Sequence, residues 1–226
     1  MTAIKICGIT RHQDALAAAS CGANAIGLNF YAKSPRHVTP ARAAELIRAL
    51  PPFVMSVGLF VDAAADAVKQ TCAVARVDLL QFHGDESPAY CREVSRHCGV
   101  PYLKALRVRA GVDLLQYASA YHDAKALLLD AYVEGTHGGT GATFDWALIP
   151  KNLPLPVVLS GGLTPENVTA AIQAVRPWAV DVSSGVESSV LAGELATGLA
   201  PGLASKGIKD AAKIAAFVTG VRNADG

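Results

Sequence analysis

Eight short runs rich in valine, isoleucine and leucine recur along this chain, each separated from the next by a longer, often alanine-rich stretch. They fall at residues 3–7, 24–29, 54–61, 77–82, 101–106, 125–129, 156–160 and 178–183. Near-continuous apolar character over so short a run belongs to strands covered on both faces, as a parallel sheet requires. The intervening stretches carry helical signals. Thr39 and Pro40 form an N-cap and first-turn proline ahead of Ala43, Leu46, Ile47 and Leu50, which share one helix face. Thr164 and Pro165 repeat the device before Val168, Ala171, Ile172 and Val175, and Ile214, Phe217, Val218 and Val221 keep the same spacing near the end. Strict alternation of eight strand–helix units with right-handed crossovers predicts an α/β fold, a (β/α)₈ barrel occupying residues 1–226 as a single domain. An open doubly wound sheet would usually carry G-x-G-x-x-G after its first strand, whereas "CGITRH" offers one glycine.

Charge narrows the partners. The formal net charge is +1, and no run of like charges occurs, which disfavours nucleic acid or an anionic membrane surface. The first residues lack the basic-then-apolar order of a signal peptide, and no apolar run reaches the roughly 18 residues of a membrane-spanning helix. Cys7, Cys21, Cys72, Cys91 and Cys98 are odd in number and form no C-x-x-C pair, so a cytoplasmic protein without structural disulfides or a metal site is expected.

In such barrels the chemistry gathers where strands end at their C-termini. The polar residues just past the runs are Cys7, Asn29 followed by Arg36, Asp62, His83, Arg107 and Asp130, then Gly161 with Gly162, and Ser183 with Ser184 and Gly185. The last two groups, "LSGGLTPENV" and "VDVSSGVE", combine glycines and hydroxyls in the loops after strands seven and eight, where barrels commonly cradle a phosphate. A third glycine-rich segment, "GTHGGTGATFDW" at 135–146, lacks the G-K-[ST] ending of a Walker loop and reads as a lid. Taken one by one, these residues have plain alternatives. Cys7 could be a packed core thiol, Asp130 a cap or loop ion pair, Arg36 a surface charge, and His83 a hydrogen-bonded rim residue.

The ordered motifs "KICGIT", "KSPRHV", "VGLFVD", "QFHGDES", "LLLDAY", "GGTGATFDW", "LSGGLTPENV", "VDVSSGVES" and "KGIKDAAKI" resemble those of the phosphoribosylanthranilate isomerases, from Lys5 to about Phe217. That resemblance implies a cofactor-free barrel that converts a phosphorylated aminosugar by an Amadori rearrangement, working as a monomer or homodimer. It implies Cys7 as general base at C2 of the sugar, Asp130 as general acid at the ring oxygen, and Arg36 in the anthranilate part of the pocket. Gly161, Gly162, Ser183, Ser184 and Gly185 would hold the phosphate, and His83 and Asp181 are candidate substrate contacts. The chain departs from the family pattern at Ala142, where members often carry lysine, and at residues 189–205, where members cross to the last helix in a few residues.

The chemistry sets further expectations. A thiol with the ordinary pKa of about 8.5 is only about 3% thiolate at pH 7, so a lowered value is expected of Cys7. Lys5 lies two residues earlier, on the same strand face, and is the expected cause. A lysine aimed into a barrel needs an anion, and Asp181 on the strand that closes the sheet is the expected partner. Asp130 has the opposite difficulty, since roughly one carboxyl in a thousand is protonated at pH 7, and burial or the substrate's own negative charge would have to favour its proton. Two rival functions remain at this stage: a lysine-dependent aldolase using Lys5 or Lys104, and a barrel that binds a phosphorylated ligand without turnover.

Overall fold

The computed structural model describes residues 1–109, 111–131, 145–188 and 206–226. Eight parallel strands pair in chain order and close on themselves. These are β1 (Ala3–Cys7), β2 (Ala25–Asn29), β3 (Met55–Phe60), β4 (Leu79–Phe82), β5 (Tyr102–Val108), β6 (Leu127–Ala131), β7 (Val157–Leu159) and β8 (Ala179–Val182). Closure sets Lys5 beside Asp181 and Ile6 beside Val182, so β1 completes the ring against β8. The helices are α1 (His12–Ser20), α2 (Pro40–Arg48), α3 (Ala65–Ala75), α4 (Pro88–Cys98), α5 (Leu114–Ala120), α6 (Val168–Val175) and α7 (Ala211–Asp225). The barrel expected from the sequence is therefore the fold observed. The glycine-rich loop with Ala142 and the segment 189–205 lie outside the described residues, apart from Asp145 and Trp146 at the end of the loop.

Two side-chain populations divide the interior. Residues such as Ile4, Ile6, Leu80 and Leu127 point outward from the sheet and pack under helix residues including Leu46, Val94 and Phe217. Leu103, Ala105, Ala126, Leu128, Val158 and Ala179 fill the barrel itself as a separate cluster. Successive strand residues face opposite sides, so Leu103 and Ala105 inside place Lys104 outside.

The helix signals held in part. Thr39 accepts from the Arg42 N–H at 3.2 Å, with Pro40 in the first turn, as predicted. Helix α6, however, begins at Val168, not at Pro165. Asn167 decides this: its Oδ1 accepts from the Thr164 N–H at 2.8 Å and its Nδ2 donates to the Gly162 carbonyl at 2.9 Å. The entry to the helix is thereby turned back onto the glycine loop. Strict alternation also fails once among the described residues, where only a 3₁₀ turn, Trp146–Leu148, precedes β7. Pro150, Pro154 and Pro156 crowd that connection and cannot donate the backbone hydrogen bonds of a helix. Trp146, Ile149, Leu153 and Leu155 cover the core there. No helix among the described residues is long and apolar enough to cross a membrane.

Candidate active site

The C-terminal ends of the strands surround a cavity of about 330 Å³. Its walls include Cys7, Arg36, His83, Asp130, Gly161, Gly162, Asp181, Ser183 and Ser184. Nine of the ten residues expected from sequence to act on or hold the substrate thus meet in one place, with Asn29, whereas Asp62 and Arg107 do not line it. Gly185 is the exception among the ten and lies behind the wall: a Cβ there would overlap the Leu163 carbonyl, so its lack of a side chain lets the 183–186 turn pack against the loop after β7.

Cys7 ends β1 and Asp130 stands near the end of β6, three strands away around the ring through β7 and β8. Both are nearly inaccessible, at 6% and 5% exposure, yet both border the cavity. The period of the strand aims Lys5 and Cys7 the same way. Gly27, paired with Cys7 across the sheet, leaves room for them: a Cβ on Gly27 would stand 2.7 Å from Cys7 Sγ and 3.1 Å from Lys5 Cε. Gly27→Ala should therefore displace the thiol and lower kcat by up to about 10²-fold in a protein that still folds. Steady-state kinetics on the variant would check this, and a wild-type kcat would mean that the thiol's position is not critical.

Lys5 lies at the floor of the site. Its ammonium donates to Asp181 Oδ1 at 2.7 Å and to Gln81 Oε1 at 2.8 Å, and Ser160 Oγ donates to the other Asp181 oxygen at 3.1 Å. Burial pulls the Lys5 pKa down, but the charge of Asp181 and its hydrogen bond, with help from Cys7, outweigh burial and hold it above the usual lysine value. The expected partner of Lys5 is therefore present. The expected effect on Cys7 is not. Burial raises the thiol pKa more than Lys5 lowers it, the Asp181 charge adds to the rise, and Lys209 and Arg36 offset it only in part. The net shift is upward because burial outweighs every neighbouring charge, and the nearest cation is already paired with an anion that repels a thiolate.

Arg36 is held, not free. Its Nε and one terminal nitrogen donate to the two oxygens of Glu187 at 2.6 and 2.9 Å, a bidentate buried pair. Glu187 also accepts from Lys209 Nζ at 3.0 Å, and Lys209 donates to the Ser183 carbonyl at 3.0 Å. Burial works against the Glu187 carboxylate, yet Arg36 and Lys209 together hold its pKa below the usual value. Lys209 itself is lowered, since burial and the Arg36 charge exceed what a shared Glu187 returns. This triad ties the loop after β2 to the loop after β8 and leaves one net positive charge beside Ser183. Gly161, at φ +85°, adopts a backbone conformation that a side chain would strain, and a Cβ there would also crowd the backbone of Ala131.

His83 Nε2 lies 3.1 Å from Asp130 Oδ2, and its Nδ1 lies 2.8 Å from Gln81 Nε2. The Ala131 N–H donates to Asp130 Oδ1 at 2.9 Å. Gln81, Glu187 and Lys209 escaped the sequence reading. Each sits inside a quoted motif, but nothing in their spacing could pair Arg36 with a carboxylate 151 residues away. Lys104, by contrast, faces away from the barrel interior. Its ammonium is bound by Glu86 Oε2 at 2.9 Å and by the Gly84 and Phe82 carbonyls. Lys5 is held as an ammonium beside Asp181 and Lys104 does not border the cavity, so neither lysine offers the free amine that a Schiff-base aldolase needs there.

The family described as N-(5'-phosphoribosyl)anthranilate (PRA) isomerase matches residues 4–193. The chain belongs to that family. The phosphoribosylanthranilate isomerase of Nitrosospira multiformis is 56% identical over 218 residues, covering 96% of this chain and 95% of the relative. That of Pseudomonas aeruginosa is 56% identical over 220 residues, covering 97% and 95%. Among solved structures, the phosphoribosylanthranilate isomerase of Thermotoga maritima superposes with a TM-score of 0.83 at 36% identity, covering 99% of this chain and all of the other. A further phosphoribosylanthranilate isomerase, in complex with reduced 1-(o-carboxyphenylamino)-1-deoxyribulose 5-phosphate, gives a TM-score of 0.80 at 35% identity, with 99% and 100% coverage.

Proposed function

We propose that this chain catalyses the Amadori rearrangement of N-(5-phosphoribosyl)anthranilate to 1-(2-carboxyphenylamino)-1-deoxyribulose 5-phosphate, the isomerase step of tryptophan biosynthesis. The observation that carries it is the single cavity in which a buried thiol and a buried carboxyl on opposite arcs of the barrel meet two glycine- and serine-bearing loops. Family membership supports the same reaction, and a relative's complex with a reduced form of that product supports the substrate class.

In this reading Asp130 protonates the ribose ring oxygen, the C1–O bond breaks, and the anthranilate nitrogen takes up the charge as a protonated imine. Cys7, as thiolate, then removes the proton from C2, and the electron pair moves to give an enolamine that tautomerises to the ketone. Acid and base each act once, which leaves Cys7 protonated and Asp130 ionised; the thiol then releases its proton to solvent and Asp130 takes one up, which restores both groups for the next turnover. The substrate's carboxylate and phosphate favour a neutral Asp130 by like-charge repulsion. The loops of Gly161, Gly162, Ser183 and Ser184 hold the phosphate through backbone N–H groups and hydroxyls, with Gly185 fixing their packing. Arg36 supplies positive charge to the anionic substrate, while His83 and Asp181 line its path. No cofactor or metal is required by these steps.

The cavity is lined by strand ends and loops of a single barrel, which supports an active unit of one barrel domain, alone or in a homodimer. A cytoplasmic location accords with five cysteines that are all free. The direct test is to add the protein to freshly made phosphoribosylanthranilate and follow loss of its fluorescence. Loss well above the spontaneous rate is expected. Ligand binding without any acceleration would favour the non-catalytic barrel instead.

A further inference from the structure

A buried glutamine stands between the floor of the site and its acid. Gln81, on β4, has no solvent exposure and borders the cavity. Its two amide ends have different partners: Oε1 faces Lys5 Nζ at 2.8 Å, and Nε2 faces His83 Nδ1 at 2.8 Å. An ammonium can only donate, so the amide oxygen must be the end that meets Lys5. The amide NH₂ can likewise only donate, so His83 Nδ1 must be the unprotonated, accepting nitrogen. The single ring proton then sits on Nε2, aimed at Asp130 Oδ2 at 3.1 Å. Reversing the amide would set its NH₂ against the ammonium, and a second proton on the ring would set two donors face to face in a buried site. The direction of every hydrogen bond from Lys5 to Asp130 is thus dictated by the fixed charge at one end.

Building on the isomerase reading above, we propose that Gln81 is a positioning residue for the general acid: anchored by Lys5, it fixes His83 as the neutral Nε2–H tautomer that orients the Asp130 carboxyl. The consequence for the reaction is an assignment between two adjacent titratable groups. His83, whose Nδ1 accepts from the amide NH₂ and whose Nε2–H is directed at Asp130, has no proton aimed at the sugar ring oxygen, and Asp130 supplies it. His83 holds one oxygen of Asp130 and the Ala131 N–H holds the other, so the carboxyl plane is set before substrate arrives.

The tautomer is read without substrate. In the ¹⁵N-labelled full-length protein, with the His83 signals assigned against His83→Asn, the spectrum at neutral pH should show a protonated Nε2 and an unprotonated Nδ1. In Gln81→Glu, a near-isosteric change, the new carboxylate accepts from both neighbours, and a proton should appear on Nδ1. The same variant should lose about tenfold or more in kcat with KM changed by no more than about twofold, because the acid is misdirected while the binding loops are intact. Gln81→Leu should give a mixture of tautomers. If that variant does not fold, the wild-type and Gln81→Glu spectra still decide the matter. A wild-type His83 carrying its proton on Nδ1, or carrying two at neutral pH, would overturn the proposal, as would a Gln81→Glu enzyme with wild-type kcat. An inactive wild-type protein showing the Nε2–H tautomer would instead sink the isomerase reading and leave the hydrogen-bond assignment standing.

Discussion

Cys7→Ala and Asp130→Ala should each lower kcat by about 10²- to 10⁴-fold while leaving KM within a fewfold of wild type. The reason lies in how binding and chemistry are divided in the cavity. The glycine and serine loops after β7 and β8 and the Arg36–Glu187–Lys209 triad are built without either side chain. In the proposed scheme, removing the thiol deletes the group that takes the C2 proton, and removing the carboxyl deletes the donor to the ring oxygen, while the glycine and serine loops persist. Cys7→Ser should fall almost as far, since a hydroxyl is a far weaker source of an anionic base than a thiol. Burial and Asp181 already hold the thiol pKa above its ordinary value, so the base form is a minor species whose loss shows directly in turnover. Steady-state kinetics with an independent binding measurement would separate the two parameters. A parallel rise in KM and retention of kcat would assign Cys7 to binding and end its role as base.

Asp181→Ala is expected to destabilise the fold by about 3–5 kcal/mol, because it leaves a buried ammonium without its anion. Lys5 and Asp181 are each 5% exposed and meet at 2.7 Å, and the ammonium also donates to the neutral Gln81 oxygen. Urea titration of both proteins at neutral pH measures the difference. The double change Lys5→Met with Asp181→Leu should recover much of the loss, since an apolar pair of similar volume carries no desolvated charge. Linkage gives the sign of the pH dependence. The folded-state pKa of Lys5 is raised, so its contribution is fully present below the unfolded value of about 10.4 and is lost as pH rises through the folded value. The wild-type advantage over Asp181→Ala should therefore hold through neutral pH and shrink only in strongly alkaline solution. An advantage of less than about 1 kcal/mol at pH 7 would mean that Lys5 finds another anion or water, as exposed pairs do.

The alternation of buried strands with capped amphipathic helices determined the barrel, because the two periods are properties of neighbouring residues and need no distant partner. The same locality made Cys7, His83, Asp130 and the two glycine- and serine-bearing loops legible as lining one cavity, since a strand's end is visible in the sequence and barrels collect their chemistry there. Where a pattern rule met a competing side-chain contact, it erred. Thr164 and Pro165 signal a helix start, but Asn167 reaching back to Gly162 delays it to Val168. Lys5 beside Cys7 signals a lowered thiol pKa, but Asp181 arriving from the last strand claims the lysine and, with burial, reverses the sign.

Only closure of the ring decided the electrostatics: which cation meets which anion, how far each is from water, and which way an amide points. Lys5 with Gln81, Arg36 with Glu187, and His83 with Asp130 are 76, 151 and 47 residues apart along the chain. Charge interactions depend on distance and burial in space, and neither quantity exists until β8 has paired with β1. The sequence by itself determined which residues would stand at the mouth of the barrel; the tertiary structure alone determined which charges each of them would face.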